Sequence, residues 1–214
     1  MHDSDSFIDE VTEEVRRDRL WGLFRKYGWI GVLAIFGLVG GSAFYEWQRA
    51  RAAAEAEGFG DAILAAMQSD NPAETMADLA AVGPQQGFLK LLLAAQAAED
   101  GKTELALEDL RAVAADATLP GSLRALARLK AVLVAGDLMT PEERAAELDA
   151  LATPGQPFRL LAMEQQALAL QAAGDSAGAI AKAREILGES GVTSGLQQRA
   201  TELIVALGGD PAAA

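Results

Sequence analysis

LALQAAGDSAGAIAKAREIL, residues 168–187, is two runs of strong helix formers separated by Gly174-Asp175. Ala, Leu, Gln, Lys, Arg and Glu favour the helix, and a glycine between two such runs ends the first and lets the chain reverse. The stretch predicts a helix hairpin, and it has a counterpart upstream. A gap-free offset of 73 residues places Ala94 on Ala167, Gly101 on Gly174, Ala106 on Ala179, Leu107 on Ile180, Arg111 on Arg184 and Val113 on Ile186. It continues through Leu123 on Leu196, Ala127 on Ala200, Val132 on Val205 and Gly136-Asp137 on Gly209-Asp210. Serial short helices that recur at a fixed offset point to stacked units, none of which buries its apolar face alone.

The surrounding sequence carries the same signals. Leu123, Leu126 and Leu133 keep helical spacing, with Arg124 and Arg128 turned elsewhere, and no run of alternating β-branched residues is long enough for a strand. Asn71-Pro72-Ala73-Glu74 and Thr140-Pro141-Glu142-Glu143 read as helix starts, each with a capping side chain followed by proline, whose missing N–H the first turn does not need. Thr140 and Glu143 have the spacing of a capping box. Glycines 101, 136 and 174 and the TPGQP run at 153–157 mark short connections. The fold class expected is all-α, a stack of antiparallel helix hairpins over residues 71–214.

Upstream lies a stretch of different character. YGWIGVLAIFGLVGGSAFY, residues 27–45, has no charge over 19 residues, is apolar on every face and is bounded by Lys26 and Glu46. As a helix it reaches about 28 Å, close to the hydrocarbon thickness of a bilayer. Trp21, Phe24, Tyr27 and Trp29 stand at one end and Phe44, Tyr45 and Trp47 at the other, the placement expected of interfacial belts, with Trp21, Tyr27, Trp29, Tyr45 and Trp47 as the anchors. Arg16, Arg17, Arg19, Arg25 and Lys26 precede the stretch, whereas only Arg49 and Arg51 follow it before Lys90. Because Lys and Arg are retained on the cytoplasmic side, the expected layout has four parts. Residues 1–26 form a cytoplasmic arm, 27–45 one transmembrane helix, 46–70 a helical extension, and 71–214 a domain outside the cytoplasm. In a bacterium this is the inner membrane with a periplasmic C-terminal domain.

Gly41-Ser42-Ala43 offers the small residues of a signal-peptide cleavage site, but the 26-residue arm holds seven acidic residues, unlike an ordinary signal n-region. A permanent anchor is therefore the first expectation and an exported soluble protein the alternative. Within the stretch, Ala34, Gly37 and Gly41 make a small-residue stripe on which a second transmembrane helix could pack.

Composition bounds the chemistry. Thirty-one Asp and Glu against 18 Lys and Arg give a formal net charge of -13, and no basic stripe offsets it, so nucleic acid is not an expected partner. There is no cysteine, and the one histidine is His2. A metal site would have to be built of carboxylates alone. Glu99-Asp100 and Glu142-Glu143 are the acid pairs that could serve a hydrolase, yet each falls at a helix end or turn, where solvated charge is the ordinary state. Gly37, Gly40 and Gly41 lie inside the apolar stretch and cannot cradle phosphate between a strand and a helix. The expectation is a non-enzyme with no cofactor, no metal and no catalytic residues. Leu92, Leu126, Leu161 and Leu168 are its candidate groove or core leucines.

Residues 168–187 resemble the tetratricopeptide pattern, with Ala167 and Ala179 at the small positions of the two helices and Gly174-Asp175 at the turn. Ala94, Gly101-Lys102 and Ala106 are similar. Both copies lack the tryptophan of the first helix, the aromatic after the turn and the closing proline. Together with FIDEVTEEVRRDRLWGLFRKYGW at 7–29, the apolar stretch and YEWQRARA at 45–52, the whole layout resembles the ancillary SecYEG translocon subunit family of bacterial inner membranes. That resemblance implies a non-catalytic, membrane-anchored scaffold beside the SecYEG translocon that associates with periplasmic chaperones or folding factors. Its alternative is an exported tetratricopeptide adaptor in envelope assembly or cell-division coordination.

Overall fold

The computed structural model describes the backbone of residues 3–211 and the side chains of residues 25, 26, 29, 30 and 33–211. Among them every regular element is helical. In chain order these are α1 (Asp3–Met67), α2 (Pro72–Ala77), α3 (Pro84–Glu99), α4 (Thr103–Ala115) and α5 (Gly121–Val134). A 3-10 turn at Gly136–Leu138 precedes α6 (Pro141–Leu151), α7 (Arg159–Ala172), α8 (Ser176–Gly188) and α9 (Ser194–Ala206). Proline appears only from position 72 onward, so nothing in α1 removes a backbone donor, and the helix runs through Gly58 and Gly60 before ending ahead of Ser69-Asp70-Asn71-Pro72. The chain divides into two compact units, residues 1–61 and 62–214. The C-terminal unit thus begins inside the expected extension at 46–70, and Ile63 and Ala66, three residues apart on one helix face, are already buried.

The 73-residue offset is visible in the helices. α4 and α8 begin at Thr103 and Ser176, α5 and α9 at Gly121 and Ser194, and α3 and α7 end at Glu99 and Ala172. α3 packs on α4 and α4 on α5, as α7 packs on α8 and α8 on α9. α2 packs on α3, and α6 packs on both α5 and α7. The sequence therefore folds as two successive four-helix modules, α2–α5 and α6–α9, whose first helices begin at Pro72 and Pro141. Gly101 and Gly174 occupy matching turns with φ of +73° and +82°, the left-handed backbone that glycine adopts without strain.

Small residues set the helix crossings. Ala94, Ala106 and Ala127 in the first module and Ala167, Ala179 and Ala200 in the second are all buried. A methyl side chain at a crossing lets backbones approach closely. One core runs from Leu91 through Leu107, Leu110 and Leu129 to Leu148 and Leu151. A second gathers Met163, Ala183, Ile186, Leu196, Ala200 and Ile204. In α5 the buried face corrects the sequence reading: Ala125, Leu129 and Val132 point inward, Leu123 and Leu126 are half-buried, and Leu133 is exposed. Alanines carry that face, and a count of leucines misses it. At the positions of Ala125 and Leu129, α9 carries Gln198 and Glu202, both exposed.

The caps divide similarly. Thr140 and Glu143 form the capping box, the Glu143 N–H donating to Thr140 Oγ1 at 3.2 Å and the Thr140 N–H to Glu143 Oε2 at 2.9 Å. Asn71 makes no side-chain cap bond, contrary to the sequence expectation; its φ of -130° and ψ of 76° depart from the extended cap geometry seen at Thr140. Arg144 of α6 reaches back to the C-terminal end of α5 and the 3-10 turn after it, donating to the Val132 and Gly136 carbonyls at 2.6 and 2.8 Å. Helix-end carbonyls lack intrahelical partners, so this arginine satisfies two that would otherwise need water.

Thr140→Ala should cost about 1 kcal/mol by removing one cap bond, read as a lower melting temperature of the full chain by circular dichroism. The Thr140 N–H and hydroxyl also hold the Glu143 carboxyl below its ordinary value. A carboxyl depressed on folding contributes stability above its unfolded titration range and loses it as pH falls through the lower folded value. The deficit of Thr140→Ala should therefore shrink on acidification through the carboxylate range. Alanine keeps the backbone N–H that contributes most to the shift, so a deficit independent of pH there would assign the Thr140 hydroxyl no electrostatic share.

Candidate functional site

Two surfaces stand out, one in each unit. In α1 the side chains of Leu33, Ile35, Phe36, Leu38 and Val39 are all exposed, from 57% for Leu33 to 76% for Leu38. Helical residues step by about 100°, so these five point in different directions, and no face of this segment is buried. Trp29, Tyr45 and Trp47 are likewise exposed; Trp21 and Tyr27 lie outside the described side chains. Trp29 Nε1 donates to the Lys26 carbonyl at 3.1 Å. Phe44 and Trp47 have ring centroids 6.0 Å apart, and the Arg51 guanidinium lies 5.9 Å from the Trp47 ring, giving the second aromatic cluster a cationic neighbour. Ala34, Gly37 and Gly41 are exposed, and a Cβ on either glycine would meet nothing within 4 Å. Among the described residues no helix is long and apolar enough to cross a membrane.

The second surface belongs to the second module. A groove of about 620 Å³ lies between the start of α7 and the loop and helix from Ser190 to Arg199. Phe158, Leu160, Leu161 and Leu196 supply its apolar lining, Arg159 and Arg199 its charge. Arg159 donates to Glu189, and Arg199 donates through Nε and Nη2 to Glu164 at 2.6 and 2.8 Å. Hydrogen bonding to these carboxylates pushes both guanidinium pKa values up, and the bond from Arg159 pulls Glu189 down. Arg159, Arg199 and Glu189 stay ionised at neutral pH. A second cleft of about 580 Å³ is lined by Met139, Thr140, Arg144 and the small residues Ala169, Ala172 and Ala173.

The repeat residues Ala94, Ala106, Ala167 and Ala179 are interior, and Gly101 and Gly174 sit in turns, so all six shape the framework. Of the groove leucines expected from sequence, Leu161 and Leu168 are exposed while Leu92 and Leu126 are half-buried. Among the described residues no group of three or more His, Cys, Asp or Glu could hold a metal ion, and no charged or polar residue is fully buried. Glu99, Asp100, Glu142 and Glu143 are all exposed at helix ends, and His2 lies outside the described residues. The carboxyl raised by burial is Asp109, which has Lys90 at 3.7 Å.

No protein-family model matches the chain, no curated protein matches it, and no solved structure matches it.

Proposed function

We propose that the chain is a non-catalytic scaffold anchored in the bacterial inner membrane through residues 27–45, with its N-terminal arm in the cytoplasm and a tetratricopeptide-like domain in the periplasm. The observation that carries this reading is the exposed apolar segment of α1. Large side chains uncovered on every side are rare on a protein bathed in water and mark a surface that lipid or a partner covers. Burial of each of them in hydrocarbon is worth about 1.5–3 kcal/mol. The five basic residues before the segment and the two shortly after it give the direction.

The two modules suit an interaction role. Helix stacks present grooves whose residues come from several helices, and their stability comes from repeated small crossings, which leaves surface residues free to diverge. By its resemblance to the ancillary SecYEG translocon subunit family, the scaffold sits beside the translocon and links translocation to periplasmic chaperones or folding factors. Binding, not chemistry, is its task.

Photocrosslinking from Ala34 and Leu38 in living cells, with mass spectrometry of the products, tests the reading. Capture of translocon subunits is the expected result, and products confined to lipid or to unrelated proteins would remove the translocon from it. Replacing Gly37 and Gly41 together with Leu should reduce co-purification at least several-fold with membrane insertion intact, because close backbone approach is lost but apolarity is not. Unchanged co-purification would relieve the stripe of any packing role.

A further inference from the structure

The two modules differ at one place in a way that opens a site. In the first module, Gly87 in α3 is buried, and an added methyl group there would stand 2.8 Å from Leu119 Cδ1 and from Leu123 Cδ2. The absence of a side chain lets these leucines close over α3, and α3 packs directly on α5. In the second module the same positions, 73 residues on, are Leu160, Val192 and Leu196. Leucine replaces the glycine that permitted closure, and α7 meets α9 through Met163 and the Glu164–Arg199 pair. Leu160 and Leu196, the counterparts of Gly87 and Leu123, line the groove of about 620 Å³.

Charge changes at the same place. Gln86 and Leu126 of the first module correspond to Arg159 and Arg199 in the second, and Leu91 and Asp116 to Glu164 and Glu189. The open copy has thus gained two arginines on its groove wall in a chain of net charge -13. The carboxylates that pair with them are not groove-lining, and the Glu164 side chain is only 13% exposed. A guanidinium offers five N–H donors. Arg199 commits Nε and Nη2 to Glu164 and Arg159 commits Nη2 to Glu189, which leaves Nη1 of each, the Arg159 Nε being buried out of a ligand's reach. Donors therefore remain beside an apolar lining.

We infer that this groove binds a short extended peptide segment carrying apolar side chains next to a carboxylate, the apolar groups seated on Phe158, Leu161 and Leu196 and the carboxylate held by Arg159 and Arg199. The carboxylate is selected by charge-assisted bonds, which are stronger and more geometrically demanding than neutral ones. Neighbouring side chains of an acidic, apolar segment supply both chemistries within one groove length. The inference rests on the scaffold reading for the polypeptide nature of the ligand.

The test uses the full chain in detergent micelles and a fluorescein-labelled pentapeptide of sequence AAFLE with a free carboxyl end, read by anisotropy against empty micelles. One peptide should bind per chain, and the amidated AAFLQ counterpart should bind at least tenfold more weakly. Glu164→Leu with Arg199→Leu gives the open copy the residues found at these places in the closed one. This pair should keep the helical content and melting behaviour while abolishing preference for the acidic peptide. Leu161→Gln, at an exposed position, should weaken both peptides with the fold intact, so the site stays testable if the double variant fails to fold. Equal binding of the two peptides, two sites per chain, or no binding to the folded chain would each overturn the inference. A chain that reaches the membrane and captures the translocon yet binds neither peptide would overturn the groove assignment alone.

Discussion

Alkaline phosphatase joined after Ala214 is expected to be fully active in cells expressing the chain, and a reporter that works only in the cytoplasm should be active on the N-terminal arm. The phosphatase acquires its disulfides only in an oxidising compartment, so its activity reports on which side the C-terminal domain lies. The direction follows from Arg16, Arg17, Arg19, Arg25 and Lys26 on one side of the apolar stretch against Arg49 and Arg51 on the other. Acidic residues count for little in this balance, so the seven in the arm do not reverse it. The effect is close to all-or-none because one span admits only two orientations. An inactive C-terminal phosphatase on an intact, membrane-bound chain would place the domain in the cytoplasm, and the periplasmic partners would go with it.

The second large effect is expected from Phe36→Asp combined with Val39→Asp. Both side chains are exposed on α1 near the middle of the uncharged stretch, so neither substitution disturbs a protein core. An aspartate near the centre of a membrane helix costs about 2.5–3.5 kcal/mol on the insertion scale, and the lost Phe and Val each add a few tenths. Two together oppose insertion by about 6–8 kcal/mol, a change of about ten-thousand-fold or more in the insertion equilibrium. The native chain should stay in membranes washed with alkaline carbonate, and the double variant should leave them. Retention of the variant would mean that another segment or a protein partner holds the chain there.

These predictions rest on a framework that was largely readable from residue order. Helices, turn glycines and the Thr140 box are local devices, determined by neighbours within a few positions. The 73-residue offset was legible because alanines at crossings and glycines at turns recur for steric reasons that do not depend on the rest of the chain. What the offset concealed was the four-helix module. α2 and α6 begin at Pro72 and Pro141, out of step with the later helices, and a comparison without gaps cannot follow that change of length. The Asn71 cap failed for a related reason: residue type suited the role, but backbone dihedrals decide whether the side chain can reach.

The groove was not legible. Its opening depends on one glycine becoming leucine between copies, and its charge on pairs 30 and 35 residues apart, Arg159 with Glu189 and Arg199 with Glu164. Leu161 was the expected leucine that proved to line it, whereas Leu92 and Leu126 are half-buried elsewhere. Pairings across such separations are a property of tertiary packing, which periodicity within a helix does not encode.

Modular helical arrays carry a hazard, since the surface that joins one module to the next can also join one molecule to the next and build open-ended filaments. Confinement to a membrane would sharpen it, because neighbours share a plane and meet often. The outward side of α9 works against that outcome. Gln198 and Glu202 stand where α5 buries Ala125 and Leu129, so a further module arriving there would strip water from an amide and a carboxylate without offering apolar burial in exchange. Two residues thus make that side of α9 a poor seat for a further module.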